Sequence, residues 1–495
     1  MKVFSLPLRI AVAAASFVLG ACGGGGSSSS PGVVPNNPQS GSPGTPIQHV
    51  VLIVQENRSF DNFFAKFPGA DGATRGEEEV LEGSKYVDKW VTLQSHSLIM
   101  STDLQHCHKA FETSYDGGKM DGFDLIGTGA CGGQYKPAGT LPYQYVKEAD
   151  IQPYWDMAEQ WVLADHMFQT QGSGSFTAHQ DLIRGGTCIT SIASCETPSQ
   201  TTLSMIDTPD AMPWGCNSPS GARTWTINYG GDVVHNGPFP CSDDFPDYGS
   251  SGYETLRDLF DAAGVSWKYY TPCFSGYSQG CPPSSKCPDC SGDTLNAFDV
   301  IYPVRYGSEW GTKVSMPDTN IFNDISGGTL PNVSWVIPED DEADHPGYAI
   351  DKGPEWVASV VNALGESSYW DSTAIFILWD DWGGFYDSVA PPFQDKFGGL
   401  GFRVPCMVIS PYDIAGSGSQ GGYVEHTQYE FGSILKYIEV NWGLPSLHTT
   451  DARATSIGNV FDYSQKPRAF NAIPSKYTAR YFLNRPHPPQ HGDPQ

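Results

Sequence analysis

A short apolar run that ends in two adjacent carboxylates constrains the fold of this 495-residue chain more than any other feature. Residues 373–379 read Thr-Ala-Ile-Phe-Ile-Leu-Trp and lead directly into Asp380 and Asp381. Such a run is typical of a strand buried on both faces of a parallel sheet, where active sites lie beyond the carboxyl ends of the strands. Neighbouring strand residues point to opposite faces, so both carboxylates can reach one metal ion only if the chain turns there. Gly383 and Gly384 permit that turn.

Two further apolar runs also end in polar residues. Residues 47–54 lead into Glu56 and Asn57, and residues 333–337 lead into an acidic stretch followed by His345. The acid doublet by itself would favour a solvated loop. Because the carboxyl ends of parallel strands meet at one edge of a sheet, we expect all three strand ends to contribute to one site. For the acids of this stretch, a solvated loop, a structural calcium site and a catalytic role remain open; they are Asp340, Asp341, Glu342 and Asp344.

Helical spacing of apolar residues alternates with these strands. We predict helices over residues 256–260, 354–364 and 431–438, with Thr427 to Glu430 as a capping box before the last of them. Further strand-like runs occupy residues 161–164, 265–270 and 404–410. The alternation predicts an α/β sandwich around a mostly parallel sheet.

The first residues predict export. A charged start and a short apolar core over residues 1–21 resemble a signal peptide, and Leu-Gly-Ala-Cys at its end resembles the lipobox of bacterial lipoproteins. We therefore expect lipidation of Cys22, a flexible tether over 22–46 and a single catalytic domain over 47–495. The expected location is the cell envelope, at the outer membrane or facing the periplasm, with the lipid anchor as the protein's contact with the membrane.

The net charge and the cysteine content limit which ligands the protein can bind and which compartment it can occupy. A formal net charge of −27 argues against a nucleic-acid ligand, because phosphate backbones would be repelled. Eleven cysteines follow Cys22, and in an exported chain pairing is the default. We predict disulfides, rather than zinc, in a Cys-rich excursion at about 185–295 that includes Cys273, Cys281, Cys287 and Cys290. Cys406, in a strand-like run, is the predicted unpaired thiol.

Four motifs in order resemble a known family. They are Glu-Asn-Arg-Ser-Phe-Asp at 56–61, Gly-Lys-Met-Asp-Gly-Phe at 118–123, Asp-Asp-Trp-Gly-Gly-Phe-Tyr-Asp at 380–387, and a helix after His426. Together they resemble the bacterial phosphoesterases that include phospholipases C and respiratory-burst-inhibiting acid phosphatases, within the alkaline phosphatase superfamily. The resemblance implies an alkaline-phosphatase-like three-layer sandwich with a mostly parallel central sheet and disulfide-stapled excursions.

The resemblance also implies a metal site with a serine nucleophile. By position, the implied ligands are Glu56, Asn57, Ser175, Asp380 and Asp381. Ser175 is the implied nucleophile, although the Pro-Asn of the commoner pattern is replaced here by Thr-Ala, which leaves Ser173 as a weaker candidate. One divalent metal ion is expected, and the oxygen ligands leave Ca²⁺, Mg²⁺, Mn²⁺ and Zn²⁺ open.

Histidines and an arginine are further candidates. His106 and His345 are expected to bind phosphate or protonate the leaving group. Arg58 and His179 are candidates for phosphate binding, while an ion pair of Arg58 with Asp61 or Asp387 is the simpler alternative. Helix-terminal structural roles compete for His179 and His426, and a zinc pair of His106 with His108 is the less favoured alternative.

These expectations define one preferred function and two alternatives. The preferred one is an exported, metal-dependent phosphoric-ester hydrolase of the acid-phosphatase type that forms a phosphoserine. The first alternative is a phospholipase C, so the substrate is a small phosphate ester or a phospholipid. The second is a non-catalytic surface-binding lipoprotein. A sulfatase is disfavoured, because the Cys/Ser-x-Pro-x-Arg sequence that it needs is absent around Ser175.

Overall fold

Seventeen strands are seen in the described part of the chain. In the computed structural model the described residues are 43–132, 135–190, 199–206, 214–246, 253–272, 295–348, 352–394, 399–416 and 420–486. The strands are β1 (His49–Gln55), β2 (Arg75–Glu82), β3 (Lys85–Thr92), β4 (Gln94–His96), β5 (Gln144–Val146), β6 (Val162–Ala164), β7 (Met167–Phe168), β8 (Leu203–Met205), β9 (Thr226–Asn228), β10 (Val233–Val234), β11 (Trp267–Tyr270), β12 (Val314–Ser315), β13 (Val333–Val336), β14 (Thr373–Trp379), β15 (Cys406–Ile409), β16 (Tyr423–Glu425) and β17 (Tyr429–Glu430).

Eight of these strands form the central sheet, in the order β12-β11-β13-β1-β14-β15-β6-β16. Every neighbouring pair is parallel except the two that involve β15, which runs antiparallel to β14 and β6. The predicted mixed α/β fold with a large, mostly parallel sheet is confirmed. The predicted run 373–379 coincides with β14, and all seven of its residues are buried. Burial on both faces explains why this strand is uniformly apolar.

Helices connect and flank the strands. They are α1 (Phe60–Phe64), α2 (His108–Tyr115), α3 (Gln152–Gln160), α4 (Ser175–Arg184), α5 (Leu256–Ala263), α6 (Tyr302–Arg305), α7 (Asn320–Gly327), α8 (Gly353–Gly365), α9 (Phe431–Trp442), α10 (Thr450–Arg453) and α11 (Ala479–Asn484). The three predicted helices are present. The predicted cap of α9 is wrong, because the short strand β17 occupies positions 429–430 and the capping box is formed by Glu430 with Ser433.

Disulfides fasten the excursions from the sheet. Cys107 is bonded to Cys131 and Cys216 to Cys241, while Cys406 is buried and free, as predicted. Burial strongly raises the pKa of the Cys406 thiol, which keeps it protonated and unreactive. Cys22, the predicted signal and most of the tether, and the four cysteines between positions 273 and 290 lie outside the described residues. Among the described residues we find no helix with the length and apolar character needed to span a bilayer.

The acidic stretch after β13 is not a solvated loop, which corrects one of the sequence-based alternatives. Glu339 and Glu342 are buried, and the guanidinium of Arg485 contacts both of their carboxylates as well as Asp341. Lys352 also donates a hydrogen bond to Asp341. Lys352 and Arg485, from two later segments of the chain, therefore offset the negative charge of this loop. Sequence spacing does not reveal this pairing.

A buried ion-pair group fixes the loop after β14 to helix α1. The Arg403 Nε and Nη2 atoms donate to the two carboxylate oxygens of Asp387, at 2.8 and 3.2 Å, and Arg403 lies 3.5 Å from Asp61. Burial, with repulsion from Asp387, raises the pKa of Asp61 to about 7, and Arg403 opposes that rise. All three side chains are fully buried, so the arginine is the charge that makes their burial tolerable.

We expect Arg403→Met to destabilise the fold by about 3–5 kcal/mol, because it leaves two buried carboxylates without their cation. Chemical denaturation at pH 7 measures this loss. The matched control is Lys89→Met, which removes an exposed ion pair with Glu82 and is expected to cost below about 1 kcal/mol. Equal effects of the two substitutions would contradict a central role for the buried group.

Candidate active site

Main-chain hydrogen bonds join the loops that follow β1, β13 and β14. The Asp380 N–H donates to the carbonyl of Gln55 at 2.9 Å, and the Arg58 N–H donates to the carbonyl of Asp381 at 3.0 Å. The Glu56 N–H donates to the carbonyl of Ala343 in the third loop at 2.8 Å. The first bond extends the pairing of β1 with β14 by one step, and the other two join the loops beyond the strands, so that polar residues from three strand ends lie close together.

The turn after β14 requires glycine. Gly383 has a φ of 61°, and a Cβ atom placed on it would lie 1.9 Å from the carbonyl oxygen of Asn57. Asn57 itself has a φ of 61°, a conformation that asparagine tolerates better than most residues. The two loops therefore approach so closely that a side chain at position 383 would separate them.

The hydroxyl of Ser175 lies at this junction. Ser175 is the first residue of α4, where main-chain N–H groups and the helix dipole favour negative charge. Its Oγ donates to Asp381 Oδ2 at 3.1 Å and lies 3.4 Å from Asn57 Oδ1. The helix start therefore places a buried hydroxyl against two of the residues that the sequence assigns to the metal.

Glu56 and Asp380 complete an acidic cluster with His179. The Nε2 atom of His179 lies 3.1 Å from Glu56 Oε1 and 3.9 Å from Asp380 Oδ2. One ligand atom from each of the three lies within 4.8 Å of the other two. His179 follows Ser175 by one turn of α4, and that i, i+4 spacing places both on one face of the helix.

The donor set fits a divalent cation. Glu56, Asp380 and Asp381 are fully buried carboxylates, and the imidazole of His179 offers at most one positive charge against them. Asp380 Oδ2 is buried without a hydrogen-bond partner among the described residues. Buried carboxylates are stable when a cation balances them, and carboxylate, amide and imidazole groups are ordinary metal ligands. These acidic and histidine groups are consistent with metal binding.

The Asn57 amide lies between this cluster and two histidines. On one side the amide is 3.0 Å from Glu56 Oε2 and 3.3 Å from Asp380 Oδ1, and on the other it is 2.8 Å from His106 Nε2 and 3.2 Å from His345 Nε2. With its nitrogen toward the carboxylates, the amide can donate to them without a cation. With its oxygen there, it faces only acceptors, an arrangement that a bound cation would stabilise.

The two histidines are held by their other nitrogens. His106 Nδ1 is 2.6 Å from the carbonyl of Leu104, and His345 Nδ1 contacts the carbonyl of Pro346. These contacts orient both Nε2 atoms toward Asn57 and fix Nδ1–H as the donor to the main chain. The rings lie 6.0 Å apart between centroids. The Cys107–Cys131 disulfide adjoins His106 and restrains its loop.

Arg58 does not have the surroundings of a phosphate clamp. Its guanidinium is buried and donates to the carbonyls of Asp344 and Leu98 and to the side chain of Asn62. Neither Asp61 nor Asp387 is its partner in these bonds, since both lie beside Arg403. Burial lowers the pKa of Arg58 to about 10, although Asp344 opposes the fall. We interpret Arg58 as a structural residue that joins three segments beneath the site.

The remaining candidates have other hydrogen-bond partners. His108 Nδ1 is 2.6 Å from the carbonyl of Gly172, which gives it a place on the loop before Ser175 and does not support the zinc pair. Ser173 Oγ accepts from the Thr177 hydroxyl at 3.2 Å. His426 lies 2.8 Å from Asp165 and is largely exposed. None of these three contacts is with the Ser175 hydroxyl.

A comparison of sequences identifies the family. The sequence profile of the phosphoesterase family matches residues 47–445, most of the chain. The chain belongs to the phosphoesterase family. This confirms the resemblance to phosphoesterases carried by the four motifs.

Several curated relatives of this phosphoesterase are bacterial phospholipases C. The non-hemolytic phospholipase C of Burkholderia pseudomallei is 25% identical over 80% of this chain and 55% of its own length. Phospholipase C A of Mycobacterium tuberculosis is 22% identical over 86% and 79%, respectively. The non-hemolytic phospholipase C of Pseudomonas aeruginosa is 23% identical over 84% and 56%. The chain thus spans about half the length of the Burkholderia and Pseudomonas relatives.

Solved structures give a more distant likeness. A protein of the alkaline phosphatase superfamily from Vibrio parahaemolyticus aligns with 86% of this phosphoesterase and 74% of its own chain, with 11% identity and a TM-score of 0.35. A Bacteroides thetaiotaomicron protein of glycosaminoglycan metabolism aligns over 86% and 78%, with 9% identity and a TM-score of 0.34.

We expect Asp344, beside His345, to make stability depend on pH. Burial raises the pKa of the Asp344 carboxyl to about 7, while the Tyr154 hydroxyl, which donates to it at 2.7 Å, and Arg58 oppose the rise. The folded state therefore holds a proton that the unfolded state releases near pH 4, so this contribution to stability is complete below pH 4 and is lost as pH rises toward 7. Asp344→Asn should reduce the slope of the free energy of unfolding against pH, by up to ~1.4 kcal/mol per pH unit in that window. Parallel curves for the two proteins, from denaturation at several pH values, would contradict the protonated carboxyl.

Proposed function

We propose that this phosphoesterase hydrolyses phosphoric esters with Ser175 as nucleophile, supported by a divalent metal ion among Glu56, Asn57, Asp380 and Asp381. The observation that carries the proposal is the position of the buried Ser175 hydroxyl, which lies 3.1 Å from Asp381 and 3.4 Å from Asn57 at the start of α4. His179 adds an imidazole to the proposed ligand set, a place for it that differs from the phosphate contact expected from sequence.

The chain's own groups supply the parts of a displacement at phosphorus. Asp381 holds the Ser175 hydroxyl and accepts its hydrogen bond, so the attacking oxygen has one fixed position. A divalent cation held by these residues would favour loss of the hydroxyl proton and would offset charge on phosphoryl oxygens. The N-terminal N–H groups of α4 point toward the same place and stabilise negative charge. Ser175 Oγ forms the bond to phosphorus as the ester oxygen leaves, which gives a phosphoserine that water then cleaves.

The leaving oxygen needs a proton, and we assign its delivery to His106 and His345. Both rings direct Nε2 toward the Asn57 amide, whose far side approaches Ser175. An imidazole is suited to donate a proton to the leaving oxygen and later to accept one from the attacking water. Either ring can also hydrogen-bond a phosphoryl oxygen. We expect the two to divide these tasks.

The relatives favour a phospholipid over a small monoester as substrate. Three of them bear the name phospholipase C, and this shifts the preference from the acid-phosphatase type expected from sequence. The reaction would release diacylglycerol and the phosphorylated headgroup. Export and a lipid anchor at Cys22 would place the enzyme where phospholipids are accessible, and we retain both as part of the proposal.

Ser175→Ala should reduce turnover on the order of a thousandfold or more, because it removes the hydroxyl on which the proposed covalent intermediate forms. Ser173→Ala is the matched control, since it removes a buried hydroxyl two residues away that bonds Thr177. Initial rates with an aryl phosphate ester measure both, and unfolding curves check that both variants fold. Full activity in Ser175→Ala, or loss confined to Ser173→Ala, would overturn the nucleophile.

Metal removal tests the proposed metal ion, and a substrate panel tests the proposed phospholipid substrate. We expect a chelator to abolish turnover, added divalent ions to restore it, and Asp380→Asn to respond weakly to them.

The panel compares phosphatidylcholine, an aryl phosphate monoester, an aryl diester and an aryl sulfate. The proposal predicts the highest kcat/KM with phosphatidylcholine. A preference for the monoester would identify a phosphatase, and no turnover on any ester would favour the non-catalytic binding protein.

A further inference from the structure

Two like charges face each other on the β2–β3 ribbon. Glu79 in β2 is directly opposite Asp88 in β3, so their side chains share one face of the ribbon. Like charges at directly opposite positions destabilise an antiparallel pair. A third carboxylate, from Asp121 in the Gly-Lys-Met-Asp-Gly motif, approaches them, and one oxygen of each group lies within 4.8 Å of the other two. Three negative charges that are not part of the candidate active site are therefore gathered here.

The Asp121 carboxylate shows that this is more than a surface cluster of acids. Asp121 is 1% exposed, and neither of its carboxylate oxygens has a hydrogen-bond partner among the described residues. A buried carboxylate of this kind is costly unless a cation or a donor satisfies it. Burial raises its pKa to about 6, with Lys119 opposing and Asp116 adding to the rise, so the group is ionised at neutral pH. Lys119 itself donates to Asp116.

We propose that Glu79, Asp88 and Asp121 bind a calcium ion. All three offer carboxylate oxygens, the ligands that Ca²⁺ prefers, and its irregular coordination of 6–8 oxygens suits groups from two separate segments. Mg²⁺ demands a stricter octahedral arrangement. The ribbon and the segment that carries Asp121 are already joined, because the Glu79 N–H donates to the Asp121 carbonyl at 3.1 Å. The exposed Asp88 gives the ion a route from solvent.

A bound ion here would fasten the ribbon against the loops of the active site. Gly76 at the base of β2 packs so tightly on the ring of Tyr386 that a Cβ atom would lie 2.4 Å from it. Tyr386 belongs to the loop that begins with Asp380 and Asp381. The ribbon exposes Leu81, Tyr86 and Trp90, and ordering it would set the position of these side chains.

The test uses the mature chain carrying Asp380→Asn, which weakens the candidate active-site metal. We expect one Ca²⁺ per chain by equilibrium dialysis, and terbium, substituted for calcium, to show luminescence sensitised by the ribbon aromatics. Adding Asp121→Asn should weaken Ca²⁺ binding about tenfold or more, because affinity depends on the number of charged ligands. The matched control, Glu82→Gln, removes a charge from the same ribbon outside the cluster and should bind as the parent does.

Thermal unfolding gives a second readout, because the difference in Tm between parent and variant should depend on whether Ca²⁺ is present. With a chelator present, Asp121→Asn should melt at the same temperature as the parent or higher, since it removes repulsion. With Ca²⁺ added, the parent should gain in Tm while the variant does not. Asp88→Asn, at an exposed position, serves if Asp121→Asn fails to fold. Equal binding and equal Tm shifts for parent and variant would overturn the site, and a Tm that responds to pH alone would identify a shared proton instead.

Discussion

The parallel pairing of β1 with β14 is the constraint on which the site depends. Their register places Gln55 opposite Trp379, so the next residues of both strands emerge together at the carboxyl edge. Asp380 Oδ1 then accepts the N–H groups of Asn57 and Asp381, at 2.9 and 2.7 Å, and joins the two loops through a side chain that is also a proposed ligand. A slip of one residue in this register would reverse which face each side chain meets and would separate the carboxylates.

Charge balance is the second physical theme. The chain has a formal net charge of −27, yet it buries many carboxylates, and each group of them is compensated differently. Arg403 neutralises the pair beside α1, and Arg485 lies among the acids after β13. The cluster around Glu56 has an imidazole and a proposed metal ion, and the cluster around Asp121 has a proposed calcium ion. Arg485 comes from a sequence position more than 140 residues after its partners, so these acids hold a late segment of the chain in place.

The site divides into an acidic side and an imidazole side, with the Asn57 amide between them. This division matches the chemistry of phosphoryl transfer, in which the nucleophile needs a lowered proton affinity and the leaving oxygen needs a donor. The acids and the serine of one side lie at strand ends and at the start of α4. On the other side, His106 lies on a loop that a disulfide restrains.

Sequence determined the strand that carries Asp380, the α/β class, the free buried Cys406 and the family, because apolar periodicity and ordered motifs are local properties of the chain. It also named five residues, Glu56, Asn57, Ser175, Asp380 and Asp381, that the structure brings together. Tertiary structure alone decided the antiparallel β15, the place of His179 against Glu56, the structural bonding of Arg58 and the pairing of Arg403 with Asp387. These depend on which segments the fold brings together, over separations from 16 residues for Arg403 and Asp387 to 286 for Arg58 and Asp344, and a charge in a sequence carries no information about its partner until the fold sets the distance between them.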